Sequence, residues 1–315
     1  MTAPTKLFTG TANRPLAQAV AKRLGIALER MEVTRFSDGE IRVEVLNHVR
    51  GCRAFIIQST CSPVNESVME LVLMVDALRR AAVKHVVAVV PYFGYSRQDR
   101  RPGYARVPIS ARVIADLLQS VGVDQIVTVD LHAMQIQGFF KVPVDNISAT
   151  QLFVADMWSR RVDENPMIVS PDVGGVARAR HVAKLFNNAE LAIVDKRRPK
   201  DNVSEVMNII GDVEDKTCIL IDDLIDTAGT LCKASDALLE AGARKVVAYC
   251  THAVLSGKAY QNLKESSLTE LVVTNTIPLR SEFKDSKVRV ISMANILAET
   301  ISRIQNKQSI SYILD

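Results

Sequence analysis

A thirteen-residue segment occurs twice in this chain: Asp76-Ala-Leu-Arg-Arg-Ala-Ala-Val-Lys-His-Val-Val-Ala88 aligns without a gap on Asp236-Ala-Leu-Leu-Glu-Ala-Gly-Ala-Arg-Lys-Val-Val-Ala248. Each copy reads as a helix end, a tight turn and the start of a buried strand. Asp116-Leu-Leu-Gln-Ser-Val-Gly-Val-Asp-Gln-Ile-Val127 has the same form. Parallel strands cannot be joined by a hairpin, so a parallel sheet requires helix-to-strand crossovers of this kind. All such crossovers resemble one another, which leaves open a single long α/β fold. The residue-for-residue echo between the two halves favours a duplicated α/β architecture. The expected boundary lies near Pro143 to Ser148, giving domains 1–147 and 148–315.

Eight segments have the short, β-branched and aliphatic character of strands covered on both faces: Ala54–Gln58, Val86–Val90, Ile126–Val129, Met167–Val169, Leu191–Val194, Ile219–Ile221, Val246–Cys250 and Leu271–Thr274. Polar clusters follow several of them. Val90 leads to Tyr92-Phe-Gly-Tyr-Ser-Arg-Gln-Asp-Arg-Arg101, Val129 to Asp130-Leu-His-Ala133, Val169 to Ser170-Pro-Asp-Val-Gly-Gly175, and Val194 to Asp195-Lys-Arg-Arg-Pro199. Ligands of open parallel sheets bind beyond the carboxyl ends of the strands, so these clusters are expected at binding edges.

The segment with the most chemistry is Cys218-Ile-Leu-Ile-Asp-Asp-Leu-Ile-Asp-Thr-Ala-Gly-Thr230. Its apolar run ends in Asp222 and Asp223, two neighbouring acids suited to the vicinal hydroxyls of a ribose or to a divalent cation. Asp226, Thr227, Ala228, Gly229 and Thr230 then open a helical pattern through Leu231, Ala234, Leu238 and Leu239. Small residues let backbone N–H groups close on a phosphate at a helix N-terminus, and the two threonines add hydroxyl donors. An isolated Asp-Asp reads more readily as an acidic turn before an ordinary helix cap. The spacing Asp-Thr-x-Gly-Thr shifts the balance to a phosphate cradle.

Composition excludes several other classes. The 315 residues are 48% hydrophobic and 23% charged, as in a globular protein with a sizeable core. A formal net charge of +4, dispersed and without a basic arm, argues against a nucleic-acid partner. Five cysteines, odd in number and without metal-site spacing, read as reduced thiols of a cytoplasmic protein, and nothing marks Cys61 as a nucleophile. The beginning Met-Thr-Ala-Pro-Thr-Lys-Leu-Phe-Thr-Gly10 has no apolar signal segment, and no apolar run approaches a membrane span.

Across essentially its whole length the chain resembles the bacterial ribose-phosphate pyrophosphokinases (phosphoribosyl pyrophosphate synthetases) of the phosphate-activated class. The motifs that carry the resemblance are Arg35-Phe-Ser-Asp-Gly-Glu40, Tyr92 to Arg100, Asp130-Leu-His-Ala-Met-Gln-Ile-Gln-Gly-Phe-Phe140, Ser170 to Gly175 with Arg178-Ala-Arg180, Asp195 to Pro199, and Asp222 to Thr230. The resemblance implies two phosphoribosyltransferase-like domains, the first with the ATP site and oligomer contacts, the second with the ribose 5-phosphate loop and a mobile catalytic loop. It implies transfer of the βγ-pyrophosphoryl group of ATP to the 1-hydroxyl of ribose 5-phosphate, with release of AMP.

By the same resemblance, Lys196 and Arg198 are the catalytic cations. Phe36, Asp38, Gly39, Glu40, Arg97 and Gln98 bind ATP, and Asp222, Asp223 and Asp226 to Thr230 bind ribose 5-phosphate. His132 and Asp172 coordinate Mg²⁺, although a lone histidine after a strand is more often structural and Mg²⁺ prefers oxygen. Arg50, Ser309 and Ser311 are expected at a regulatory site where inorganic phosphate activates; His48 stands there in place of a small hydroxyl residue of some relatives. A homo-oligomer, a hexamer built from dimers, is implied as well. Ala228 replaces a glycine found in some relatives, and Met134 and Ala253 are further departures that leave the chemistry intact. Two other classes remain: a phosphoribosyltransferase, which would share the Asp222–Thr230 cradle, and a non-catalytic relative.

Overall fold

The computed structural model describes residues 4–160, 165–197, 206–283 and 286–314. They form two compact units, one of residues 1–148, 276–278 and 292–315, the other of residues 149–275 and 279–291.

The first unit contains β1 (Thr5–Thr9), α1 (Arg14–Leu24), a hairpin of β2 (Met31–Arg35) and β3 (Ile41–Val45), β4 (Arg53–Ile57), α2 (Val64–Arg80), β5 (His85–Val90), α3 (Ser110–Ser120), β6 (Gln125–Val129) and β7 (Val144–Ile147). Its main sheet is fully parallel, in the order β1-β4-β5-β6-β7. The chain then runs through α4 (Thr150–Ser159), β8 (Pro166–Ser170), α5 (Val176–Leu185), a hairpin of β9 (Glu190–Arg197) and β10 (Val206–Ile210), β11 (Thr217–Ile225), α6 (Gly229–Glu240), β12 (Lys245–Ala253), α7 (Ala259–Glu265), β13 (Glu270–Thr274), β14 (Val288–Ile291), α8 (Ala294–Gln305) and α9 (Ser311–Leu314). The second sheet has the order β10-β9-β8-β11-β12-β13-β14, parallel except for β10 against β9.

From β1 to α4 and from β8 to α8 the elements follow in the same order, and the strand registers match them residue by residue. Arg53 faces His85 in the first sheet as Thr217 faces Lys245 in the second. In the repeated segments the helix ends coincide, and Ala82 and Gly242 occupy the same turn with φ of 62° and 93°. Gly122 makes the third such turn, at φ 96°. In each, the residue after the turn donates its N–H five residues back, Val83 to Leu78, Val123 to Leu118 and Ala243 to Leu238, which closes the helix in a Schellman arrangement.

All eight expected strands are present, four of them longer at both ends, three longer at the start and one, β4, shifted by a residue. The strands not anticipated, β1, β2, β3, β7, β10 and β14, are edge, hairpin or short segments whose side chains are mostly half-buried or exposed, β1 excepted. The central strands are buried almost throughout, as expected for parallel strands covered by helices on both faces. On α2, Val68, Leu71, Val72, Val75 and Leu78 recur at helical spacing and face the first core. Each such burial contributes on the order of 1.5–3 kcal/mol.

The second domain, expected to run from 148 to 315, differs at its end, because residues 292–315 belong to the first unit. The reason is packing. In α8, Leu297, Ala298 and Ile301 are buried and the helix packs on α1, while Arg53 Nη1 donates to Ile304 O at 3.0 Å. The Thr276 carbonyl is also gripped from this unit, by Asn13 Nδ2 at 3.2 Å and Ser59 Oγ at 2.5 Å. Its counterpart α4, which follows β7, belongs to the second unit and packs on α5. Asp156 of α4 accepts from Arg289 at 2.9 and 2.7 Å and from Tyr249 Oη at 2.9 Å, and Arg289 reaches on to Glu270 at 2.8 Å. The helix after each repeat thus completes the other unit.

Candidate active site

In the second unit the acids lie inside a strand rather than beyond its end. β11 keeps β12 as a neighbour as far as Ile225, while its pairing with β8 stops at Leu220. Asp222 and Asp223 therefore follow the point where one neighbouring strand ends and a cleft can open. The Asp223 side chain is buried at 6% exposure, whereas that of Asp222 retains 29%. Asp222 Oδ1 accepts from Asp223 N at 2.8 Å, and Arg178 Nη1 donates to Asp223 Oδ1 at 3.0 Å. Burial, then the Asp223 charge, pushes the Asp222 carboxyl well above the ordinary carboxylate range, with Arg178 acting in the opposite direction.

The cradle follows directly. Ala228 adopts the left-handed conformation at φ 63°, and α6 begins at Gly229. The first N–H groups of a helix have no acceptor within it and point at whatever occupies this turn. Thr227 and Thr230 are exposed there. The loop is braced from outside the motif: Ser256 Oγ hydrogen-bonds Asp226, Ser256 N donates to Asp226 O at 3.0 Å, and Asn262 Nδ2 donates to Thr227 O at 2.7 Å. Sequence reasoning missed Ser256 and Asn262. Ser256 lies just beyond β12, in a loop whose only signal was its position after a core strand.

At the next strand end, Asp172 is exposed, and its Oδ1 accepts from Gly175 N at 2.8 Å. A Cβ on Gly175 would stand 2.9 Å from Ser170 Oγ, so a larger residue here would displace the Ser170 hydroxyl. Lys196, expected in a loop after a strand ending at Val194, instead lies in β9, which runs to Arg197 because β10 pairs with it; Lys196 is opposite Met207. Arg198, with Pro199 and Lys200 to Asn202 of the expected mobile loop, lies outside the described residues.

In the first unit, Phe36, Asp38, Gly39 and Glu40 form the tip of the β2-β3 hairpin. Glu40 N donates to Asp38 Oδ1 at 3.1 Å, Gly39 has φ 96°, and Phe36 is 54% exposed, so it is not the core residue that an isolated phenylalanine would be. Arg35 pairs with Glu66, and Tyr95 of the loop after β5 bonds Asn65. The hairpin and the loop carrying Arg97 and Gln98 are therefore anchored on the same first turn of α2. Gln98 is bonded by Ser110, and Asp99 accepts from Gln135, which ties this loop to the one carrying His132. Arg97 and His132 are exposed.

His132 belongs to the first unit and Asp172 to the second. No group of three or more His, Cys, Asp or Glu among the described residues forms a metal cage. Asp172 supplies the oxygen donor that Mg²⁺ prefers, an ion commonly held by one or two carboxylates together with substrate phosphates, whereas His132 offers nitrogen. Ser309 and Ser311 are in contact, Oγ to Oγ, at 3.0 Å. Arg50 is exposed in the turn before β4, and no hydrogen bond or ion pair among the described residues joins it to these serines. The five cysteines are buried and free, and burial pushes the Cys61 thiol up to about 11, unlike a nucleophile.

Comparison with known proteins decides the family. A model of the N-terminal domain of ribose phosphate pyrophosphokinase matches residues 5–122, and one of the phosphoribosyl synthetase-associated domain matches residues 188–315. Ribose-phosphate pyrophosphokinase of Haemophilus ducreyi is 58% identical over 311 residues, 98% of each chain. This chain belongs to the ribose-phosphate pyrophosphokinase family. The Pasteurella multocida enzyme of that name is 58% identical over 307 residues, covering 97% of this chain and 98% of its own. The crystal structure of phosphoribosylpyrophosphate synthetase from Mycobacterium smegmatis superposes with a TM-score of 0.91 at 42% identity, covering 96% of this chain and 99% of that one. The family is one of transferases, and its fold accounts for both sheets. No helix among the described residues is long and apolar enough to cross a membrane.

Proposed function

We propose that this chain transfers the βγ-pyrophosphoryl group of ATP to the 1-hydroxyl of ribose 5-phosphate. The observation that carries the reading is the pairing of a substrate-accessible carboxylate, Asp222, with a braced helix-terminal cradle at Thr227 to Thr230 on one strand-to-helix turn. The cradle takes the 5-phosphate and Asp222 accepts from the ring hydroxyls, which fixes the sugar with its 1-hydroxyl outward. The oxygen of that hydroxyl attacks the β-phosphorus in line, the bond from the β-phosphorus to the bridging oxygen of the α-phosphate breaks, and AMP leaves with that oxygen as the hydroxyl loses its proton. Lys196 and Arg198 supply positive charge to the transferred group, because positioning and electrostatics dominate phosphoryl transfer. Phe36 offers a face to adenine, with Asp38, Gly39 and Glu40 as acceptors and close backbone beside it, and Arg97 and Gln98 reach toward the nucleotide.

Asp172, with His132 directly or through water, would hold Mg²⁺, which when bound neutralises phosphate charge. Inorganic phosphate is the proposed activator at Arg50, Ser309 and Ser311, and the proposed setting is a cytoplasmic homohexamer. The test is AMP release from ATP and Mg²⁺ with and without ribose 5-phosphate, with phosphate present and the sugar product identified by mass. Ribose-dependent AMP together with 5-phosphoribosyl 1-pyrophosphate is expected. Folded protein that gives no AMP refutes the reading, and consumption of the pyrophosphate product with a nucleobase would make the chain a phosphoribosyltransferase.

A further inference from the structure

Arg178 stands in the first turn of α5, and its guanidinium reaches across to β11. One nitrogen, Nη1, lies 3.0 Å from Asp223 Oδ1 and 3.5 Å from Asp222 Oδ1. The two acids differ in access: Asp223 is enclosed, and Asp222 is the one a ligand can meet. Asp222 is nevertheless held from behind, because its Oδ1 accepts from Asp223 N and faces Arg178. Oδ1 is thereby fixed from the protein side.

We propose that Arg178 is a positioning residue for ribose 5-phosphate, bridging Asp222 and Asp223 so that Asp222 is aimed at the ribose hydroxyls. The proposal rests on the reading of this pair as the ribose site. Two adjacent carboxylates repel each other, and burial favours their neutral forms. A protonated Asp222 would present an O–H and lose acceptor capacity, whereas the carboxylate accepts from both hydroxyls of a diol. The groups that face Asp222 are Asp223 on its own strand, Arg178 on α5 and Cys250 on β12. Burial holds the Cys250 thiol neutral, and Arg178 stands beside the pair as a compensating charge. The role is distinct from that of Lys196 and Arg198, since Arg178 acts on the sugar site through the acids.

Steady-state kinetics of the full chain test this. Arg178→Gln is expected to raise KM for ribose 5-phosphate by about 10–100-fold while KM for ATP stays within about twofold. The acid limb of kcat/KM for ribose 5-phosphate is expected to move to higher pH, because the pair takes up a proton more readily without the guanidinium. Arg178→Lys is expected to recover part of the loss, since it keeps the charge but not the planar fork. A folded Arg178→Gln protein with unchanged KM and unchanged pH profile overturns the proposal. If that variant does not fold, Arg178→Lys decides: a ribose-specific KM rise of about threefold supports it, and wild-type KM values for both substrates overturn it. Asp222→Asn separates the two levels. An unchanged ribose 5-phosphate KM in Asp222→Asn refutes the site reading itself, whereas a raised KM there with normal Arg178 variants refutes the role of Arg178 alone.

Discussion

The two units share one plan, yet only the second keeps an accessible site at the turn after its fourth repeat strand. By strand register, Gln58 and Ser59 stand where Asp222 and Asp223 stand. Counted back from the matched helix ends, Glu70 occupies the place of Thr230. In the first unit these residues bond to the protein itself. Glu70 accepts from Thr11 N at 2.5 Å, Thr11 Oγ1 at 2.7 Å and Gln58 Nε2 at 3.1 Å, and Ser59 donates to Thr276 O. The first unit thus fills its own pocket with a carboxylate, and a Cβ on Gly10 would collide with Glu70 and Gln58. The same fold leaves this turn open and braced from behind in the second unit, and closes it with a buried acid in the first.

The exchanged helices give the sharpest way to break this comparison. Asp156→Ala removes the partner of a largely buried Arg289 and is expected to cost about 3 kcal/mol in urea unfolding. At the matching position of α8 stands Thr300, whose hydroxyl donates within its own helix, to Ile296 O at 2.8 Å, and Thr300→Ala is expected to cost about 1 kcal/mol. Burial raises the Asp156 carboxyl, but hydrogen bonds from Arg289 and Tyr249 outweigh it and hold the group below its ordinary value. Its contribution is therefore fully present above about pH 4 and is lost as pH falls through the lower folded value. The gap between wild type and Asp156→Ala should narrow in that acid window; a constant gap would remove the ion pair from the account.

The sites themselves come next. Asp222→Asn is expected to lower kcat/KM for ribose 5-phosphate by about 100-fold with little change in melting temperature. Glu70→Ala should do the reverse, costing about 1–3 kcal/mol of stability by stranding Thr11 N while leaving KM for ribose 5-phosphate unchanged. A ribose-specific defect in Glu70→Ala would mean that the first pocket is not simply structural. The smallest effect concerns the repeated turn. Gly242→Ala should destabilise by about 1 kcal/mol and Ala82→Gly stabilise by somewhat less, because both positions are left-handed and only one has glycine. Thermal unfolding of the pair checks this, and equal signs would show that the turns are not equivalent.

Much of this was legible in the chain because the signals are local. Apolar runs such as Val246–Cys250 and Ile219–Ile221 mark covered strands, and the spacing from Asp222 to Thr230 marks the strand-to-helix turn that follows β11. The hairpin strands were not legible, since Met31–Arg35 and Ile41–Val45 are half polar and are held by pairing with each other. Ser256 and Asn262 carry no signature because they brace the cradle from 30 and 35 residues away. The destination of α8 was hidden for a further reason: Leu297 and Ile301 declare a buried face but not which sheet it covers.

The exchange of terminal helices also bears on the order of synthesis. Domains usually fold as units while the chain is still being made, the N-terminal one first. Here α1 and β4 emerge early but wait for α8, which is translated after every strand of the second sheet. The part of α1 that packs on α8 therefore stays uncovered in the nascent first unit until residues 294–305 have been made.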